Sequence, residues 1–293
     1  MKAFESYHPS VIFYYFVVVI CMTMFFMHPV YLVCTFLAAL CLRALWFKGH
    51  FLRSSWYFIP LFFAMAIVNP LISHNGQLVI LYVNNNPITI EAIAYGIAIA
   101  LMIVAVLFWF SCYNEAMTSD KFLYLFAKIS PVFALTISIT MRLIPRFKHQ
   151  LRVIAQAQKT IGMDYTVGTP WHRVKVVIRI LSILVTWALE NSIETADSMK
   201  ARGYGLKNRT TFSIFILEKR DLFMIGWLTI LLIICVYGVL RGYTMFYYYP
   251  TFTEISWSAD YIFFYSVYAI LLSIPIVTNV KGDIKWHYLQ SRI

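Results

Sequence analysis

The sequence is dominated by long apolar runs that carry almost no charge. A helix needs about 20 mostly apolar residues to cross the hydrocarbon core of a bilayer, and several runs approach that length. They are Val11 to Met27, Pro29 to Phe47, Trp56 to Ser73, Glu91 to Tyr113, Leu222 to Leu240 and Tyr261 to Asn279. Of the 293 residues, 61% are hydrophobic and only 13% are charged. The chain is therefore predicted to be an all-α integral membrane protein with about six transmembrane helices.

The basic residues predict how the chain is oriented in the cell membrane. Arg43, Lys48 and Arg53 lie between the second and third runs, whereas residues 74–90 contain no Lys or Arg. Since basic residues concentrate in cytoplasmic loops, we expect a multi-pass protein with both termini in the cytoplasm and residues 74–90 outside. Within that external stretch, polar and β-branched residues alternate around the turn-forming residues 84–87, which predicts a short β-hairpin.

The same reasoning divides the chain into three parts. We expect a membrane domain with four spans in residues 1–113, a cytoplasmic domain in residues 114–221 and two further spans in residues 222–293. The cytoplasmic part has 16 basic and 8 acidic residues, but no nucleic-acid motif accompanies the charge, so no nucleic-acid partner is predicted.

Two long amphipathic helices are predicted in the cytoplasmic part, from Pro131 to about Ile161 and from Pro170 to Gly203. Helices without a soluble core of their own must bury their apolar faces against a partner or lipid.

No set of side chains in the sequence points to catalysis. The chain lacks a phosphate-binding glycine loop, a nucleophile elbow and the histidine pattern of a zinc hydrolase, so no catalytic, cofactor or metal residue is predicted. Arg43 and Glu91 lie near span ends, where we expect their charges to reach the membrane interface. A self-contained channel or secondary transporter is the alternative function, and it would need polar residues facing each other at mid-membrane. A lipid-modifying enzyme would need a catalytic constellation.

One stretch near the end of the second amphipathic helix is distinctive, Met199-Lys200-Ala201-Arg202-Gly203. A basic last turn followed by glycine is the ordinary way to end a helix. In its context, however, the stretch resembles the signature of the transmembrane T component of energy-coupling factor (ECF) transporters, a CbiQ-like family. That signature is a small residue, Arg and Gly at the end of a cytoplasmic coupling helix. The resemblance extends over roughly Pro9 to Thr211, and it includes the matching segments Asn69-Pro70-Leu71, Arg142-Leu143-Ile144-Pro145 and Ala155-Gln156-Ala157-Gln158-Lys159.

The resemblance implies a non-catalytic coupling subunit of an importer for a vitamin or metal micronutrient. Its partners would be two ABC ATPase subunits, which hydrolyse the ATP, and a small substrate-binding membrane subunit. The residues implied to contact the ATPases form two sets with three supporting residues: Ala201, Arg202 and Gly203; Lys159, Thr160, Ile161 and Gly162; and, in support, Arg142, Arg152 and Met199. The first coupling helix departs from the family pattern, because Ile161 stands where the family often has Arg. The resemblance therefore implies an uneven grip, in which Lys159 or Arg152 replaces the missing charge.

Overall fold

Prolines and histidine side chains define where the first two membrane helices begin. The computed structural model describes residues 3–47, 49, 55–73, 75–83, 86–206 and 215–290. Helix α1 (Pro9–Phe25) and helix α2 (Pro29–Trp46) both start with proline, whose missing N–H would be unpaired at that position in any case. The preceding His8 and His28 each accept a backbone N–H through Nδ1, at 3.2 and 3.3 Å. Of the residues used above, Lys48, Arg53, Asn84, Asn85 and Thr211 lie outside the described ranges.

The other elements follow in the predicted order. They are α3 (Phe58–Ile72), β1 (Val79–Val83), β2 (Asn86–Thr89), α4 (Ile90–Ala116), α5 (Ser119–Ile129), α6 (Pro131–Thr160), α7 (Pro170–Ala201), α8 (Lys219–Leu240) and α9 (Ala259–Gln290), and a short 3-10 helix (Ala3–Ser6) precedes α1. Each of the predicted spans coincides with a helix, and β1 pairs with β2 as the predicted antiparallel hairpin. The all-α membrane fold class is confirmed.

The number of spans stays a prediction. Within the described ranges, five helices are long and apolar enough to cross a membrane, namely α2, α4, α7, α8 and α9, and the apolar helices α1 and α3 are shorter. Helix α7 belongs to this set by length and composition, although the sequence predicts it to be a cytoplasmic amphipathic helix. The cytoplasmic location of α6 and α7 is therefore a prediction as well.

Contacts divide the chain into two compact units, Met1–Phe122 with Phe215–Ile293, and Leu123–Ile214. In the first unit, α4 packs against α1, α2 and α3, while α9 packs against α2 and α8. The rings of Tyr15 and Phe16 meet buried Trp109 edge to face, with centroids 6.1 and 6.2 Å apart. The Tyr15 hydroxyl donates to the carbonyl oxygen of Leu272 in α9 at 3.1 Å. Aromatic packing and the hydrogen bond of one tyrosine hydroxyl thus connect α1, α4 and α9.

The expectation that Arg43 and Glu91 reach the membrane interface was wrong, because both side chains are buried in protein. The Arg43 guanidinium lies 5.1 to 5.2 Å from the centroids of three rings, those of Phe47, Phe58 and Phe108. Its Nε donates to Ser55 Oγ at 3.2 Å. The Glu91 carboxylate accepts the backbone N–H groups of Gln77 and Leu78 at 3.2 Å and so attaches the hairpin to the start of α4. Neighbouring donors and aromatic faces take the place of water around each charge.

Helices α3 and α4 approach closely at a glycine. A Cβ built on Gly96 would lie 2.7 Å from the carbonyl oxygen of Ala66 and 3.2 Å from Pro70 Cδ. One turn earlier on α4, the Ala92 carbonyl accepts a hydrogen bond from Asn69 Nδ2 at 2.9 Å. Small residues permit such close backbone contact between membrane helices.

We predict that Gly96→Ala destabilises the membrane unit by about 1–3 kcal/mol, because the new methyl group must push α3 away from α4. Thermal unfolding of the purified protein in detergent would show this as a lower midpoint. Gly226→Ala in α8 is the matched control, since a Cβ there meets nothing within 4 Å. Its midpoint should stay the same or rise. Equal midpoints for the two variants would contradict the close approach of α3 and α4.

Candidate coupling site

Helices α6 and α7 form an antiparallel hairpin within the second unit. The ring of Phe147 in α6 packs edge to face on Trp187 in α7, with centroids 5.6 Å apart. Further along α6, Ile154 forms a buried apolar cluster with Val176 and Ile180 of α7. Later residues of α6 thus face earlier residues of α7. The carboxyl-terminal ends of the two helices consequently lie at opposite ends of the hairpin, as much as about 40 Å apart for straight helices.

Helix α6 ends in a Schellman motif. Gly162 has φ +82°, and its N–H donates to the Lys159 carbonyl at 3.1 Å. The N–H of Met163 donates to the Gln158 carbonyl at 2.9 Å, which completes the motif, and the Met163 side chain packs against the apolar cluster. A Cβ on Gly162 would meet nothing within 4 Å, so glycine is needed there for its backbone conformation and not for space. The capping residue is Ile161, which is exposed.

Helix α7 ends in the same motif with a different capping side chain. Gly203 has φ +79°, and its N–H donates to the carbonyl three residues earlier at 2.9 Å. The N–H of Tyr204 donates to the Met199 carbonyl at 3.0 Å. Arg202 is the capping residue, after Ala201 as the last helical residue. The backbone geometry therefore makes Arg202 the counterpart of Ile161.

A third helix end has the same Arg-Gly sequence and the same backbone geometry, but its arginine has a different environment. Helix α8 is capped by Arg241 and followed by Gly242 with φ +82°, and Tyr243 N–H donates to the Gly238 carbonyl at 3.0 Å. However, Arg241 Nε donates to the Tyr237 hydroxyl at 2.9 Å, so this guanidinium bonds within its own helix. The motif fixes where the arginine lies, and the surroundings decide whether its charge is available.

The two hairpin ends differ in charge. Lys159 Nζ lies 3.1 Å from Asp164 Oδ2, and Asp164 Oδ1 accepts the N–H and the hydroxyl of Thr166 at 2.9 and 2.8 Å. The bonds from Thr166, together with Lys159, lower the pKa of Asp164 to about 2, so this carboxylate is ionised at any cellular pH. At the α7 end, Arg202 has no ion pair or side-chain hydrogen bond with another described residue. Lys200 lies 3.9 Å from Asp197, and both side chains are exposed.

Each end of the hairpin forms a groove with the facing part of the other helix. The first groove, beside the α6 end, has a volume of about 460 Å³ and the polar lining residues Arg152, Gln156, Lys159, Asp164, Tyr165 and Thr166. The second groove, beside the α7 end, has a volume of about 500 Å³ and the charged lining residues Arg142, Arg146, Glu194 and Arg202. Three cations against one carboxylate make the second groove electropositive, and the first groove has a smaller excess, with Arg152 and Lys159 against Asp164.

The predicted site residues divide between these ends. Lys159, Thr160, Ile161, Gly162 and Arg152 lie at the α6 end, where the Thr160 hydroxyl donates to its own helix. The remaining predicted residues are at or facing the α7 end, namely Ala201, Arg202, Gly203, Met199 and Arg142. Sequence reasoning missed Arg146 and Asp164, although an aspartate two residues before a threonine is a recognisable turn signal. Within the described part of the chain, no group of three or more His, Cys, Asp and Glu residues could hold a metal ion.

Curated relatives match part of the chain. The energy-coupling factor transporter transmembrane protein EcfT of Bacillus subtilis (strain 168) is 34% identical over 99 residues, which is 33% of this chain and 37% of that protein. EcfT 1 of Listeria monocytogenes serotype 1/2a is 38% identical over 82 residues, 28% of this chain and 31% of that protein. EcfT of Leuconostoc gelidum subsp. gasicomitatum is 33% identical over 89 residues, 30% and 33% of the two chains. These alignments span about a third of each relative.

A family-level comparison covers more of the sequence. The family described as CbiQ, cobalt transport protein, matches residues 8–212, well over half of the chain. The match includes helices α1 to α4 and both ends of the α6–α7 hairpin. This multi-pass membrane protein therefore belongs to the CbiQ cobalt transport protein family.

Proposed function

We propose that this chain is the coupling subunit of an ECF-type ABC importer. It transmits ATP-driven movement from two cytoplasmic ATPase subunits to a small membrane subunit that binds the substrate, a vitamin or a metal micronutrient. The chain itself is non-catalytic. The names of the relatives, which describe transmembrane proteins of energy-coupling factor transporters, support this proposal.

The observation that carries the proposal is the matching geometry of two helix ends. Both α6 and α7 stop in a Schellman motif, and each presents its capping residue at its own end of one hairpin. Two separate docking points at the ends of stiff helices suit a protein that is held by two partner subunits at once. Movement of either partner would displace a helix end that cannot bend freely.

Arg202 suits docking because its charge is available. A guanidinium offers several N–H donors in a plane and can bond carboxylates or carbonyls in a partner groove. The second groove adds Arg142 and Arg146 next to it, so an acidic partner surface would gain from all three cations. Gly203 ends the helix with no side chain that would block approach.

A second feature supports a partner in the membrane. Four exposed aliphatic residues recur on one face of α7 at helical spacing, and we call them the α7 stripe: Ile178, Val185, Leu189 and Ile193. A stripe of this kind on an amphipathic helix is an interaction surface. We assign it to the substrate-binding membrane subunit, because Arg202 and Ile161 at the helix ends are assigned to the ATPases.

We predict that Arg202→Glu reduces association with the ATPase subunits by roughly tenfold or more, since a bond to a charged group contributes about 1.5–3 kcal/mol and the reversal adds repulsion. The tagged chain would be co-expressed with the ATP-binding-cassette subunits of the same genome, and the ATPase retained per chain would be measured in mild detergent. ATP-dependent uptake should fall in parallel.

Arg241→Glu is the matched control for this experiment. It makes the same charge change at the same position of the same helix-ending motif. The predicted orientation of the spans places Arg241 on the outer face, where it is the exception to the positive-inside pattern. ATPase retention should stay within about twofold of the unmodified chain. Full retention by the Arg202 variant, or an equal loss in both variants, would refute the proposed role of Arg202.

Membrane orientation provides an independent prediction. In a chain with its five native cysteines replaced by serine, a single cysteine at position 161 or 202 should react with a membrane-impermeant maleimide only from the cytoplasmic side. A cysteine at exposed position 82 in the hairpin should react only from outside. Labelling of position 202 from outside would place the helix end away from ATP and would refute the coupling function.

A further inference from the structure

The segment that precedes α1, residues 3–8, is hydrogen-bonded to three other helices of the first unit, and we call it the clasp. Its backbone takes part in four such bonds, which are Phe4 N–H to Asn279 Oδ1 in α9 at 3.1 Å, Lys121 Nζ in α5 to the Glu5 carbonyl at 2.9 Å, Arg220 Nη2 in α8 to the Ser6 carbonyl at 3.2 Å, and His8 N–H to Asp221 Oδ1 in α8 at 3.3 Å. Since these bonds use backbone atoms of the clasp, they depend on the path of the chain more than on its side chains.

The clasp is also packed into the core of the first unit. Phe4 is fully buried, and its ring meets the rings of Tyr15 and Phe16 in α1 edge to face, with centroids 5.4 and 6.3 Å apart. On the α9 side, a Cβ built on Gly282 would collide with Ala3 Cβ, so this glycine leaves the space that the clasp occupies. Apolar packing therefore holds the clasp together with the hydrogen bonds.

The clasp is bonded next to the points where the chain passes between its two units. The chain leaves the first unit at the end of a first passage (residues 117–122) and returns to it in a second passage (residues 215–222). Lys121 lies in the first passage, and its Nζ also donates to the carbonyl oxygen of Ala116, the last residue of α4, at 3.0 Å. One lysine thus joins the end of α4, the start of α5 and the clasp.

Two adjacent residues fix the second passage to the clasp. The Arg220 guanidinium carbon lies 4.4 Å from the centroid of the Tyr7 ring, in addition to its bond to the Ser6 carbonyl. Asp221 is buried, and while its Oδ1 accepts from the clasp, its Oδ2 accepts the Glu218 N–H at 3.1 Å in the capping box that starts α8. The start of α8 and the clasp therefore share one carboxylate.

We infer that the clasp is a conformational device that ties both passages to α1 and α9, so that a pull on either passage displaces these two membrane helices together. The passages are the covalent links to the unit that contains α6 and α7, so movement of that unit acts on them. This inference rests on the proposed function, because it gives a route by which movement of the ATPase subunits would enter the membrane helices. The family match covers residues 8–212, so residues 3–7 and the bonding partners in α8 and α9 lie outside it.

Breaking the clasp at one place should loosen both passages. The N–H groups of Phe122 and Leu222 report on them, since they donate to the carbonyls of Thr118 and Glu218 at 3.0 and 3.2 Å. We predict that Phe4→Ala raises the hydrogen-exchange rates of both amides at least about fivefold, because the clasp loses the buried ring that holds it in place. Mass spectrometry of the full chain in detergent would measure the exchange.

Three further variants control this experiment. Phe4→Leu keeps an apolar side chain and should leave both rates within about twofold of the unmodified chain. Lys121→Met removes the donor but no core side chain, so it tests the clasp even if Phe4→Ala fails to fold, and it should also loosen both passages. The same change at exposed Lys285 in α9 is the matched control and should alter neither rate. A response confined to one passage, or no response, would overturn the inference.

A second experiment tests whether the clasp transmits movement. The chain would be purified with its co-expressed ATP-binding-cassette subunits, and hydrogen exchange would be compared without nucleotide and after trapping with ATP and vanadate. Trapping should change the exchange of residues 279–284 in α9 at least about twofold, and Lys121→Met should reduce that change by about half or more while ATPase retention is preserved. An equal change with and without Lys121→Met, or no change in the unmodified complex, would contradict the inference.

The failure of this inference is distinguishable from that of the proposed function. The clasp variants alter no residue at either hairpin end, whereas Arg202→Glu tests the proposed function through ATPase retention. If Arg202→Glu weakens retention but the α9 response does not depend on Lys121, this inference alone fails. If Arg202→Glu leaves retention unchanged, the proposed function fails, and exchange in the isolated chain still decides whether the clasp ties the two passages together.

Discussion

The Schellman motif that ends both α6 and α7 is the interaction on which the rest of the candidate site depends. A helix end leaves backbone carbonyls without partners, and here two N–H groups beyond the helix return to satisfy them. This return requires a positive φ, which Gly162 and Gly203 adopt without strain. Since the geometry is local, it fixes the position of the capping residue whatever its side chain.

The backbone hydrogen bonds fix where the capping residue lies but not which side chain it has. The α6 and α7 ends can therefore present different side chains at the same position. Replacing arginine by isoleucine at the α6 end changes the surface offered to a partner and leaves the backbone hydrogen bonds intact. Lys159 at that end is paired with Asp164, while Arg152 lines the same groove. The α8 end has both the motif and an arginine as its capping residue. There, however, Arg241 Nε donates a hydrogen bond to the Tyr237 hydroxyl in its own helix.

The sequence was sufficient for the helices and insufficient for their buried charges. Long apolar runs, with proline at the start of α1, α2, α6 and α7, predicted those elements because bilayer thickness and helix-end chemistry act locally. The same reasoning failed for Arg43, which was expected at the interface, because its partner Ser55 precedes α3 and its partner Phe108 lies in α4. Asp164 was missed for a related reason. Its role depends on a lysine five residues earlier that only the helix end brings into reach.

The candidate site shows the same limit, because a comparison of residue types alone does not reveal the backbone geometry of the two helix ends. Compared letter by letter, Thr160-Ile161-Gly162 differs from Ala201-Arg202-Gly203 at the residue that caps the helix. That comparison does not reveal what the two ends share, namely a positive φ at glycine and the same pair of carbonyl bonds. Helix α8 ends in the same geometry, so the motif positions a capping residue without assigning it a role. What distinguishes the α6 and α7 ends is therefore the capping side chain, Ile161 or Arg202, together with the charges that line each groove.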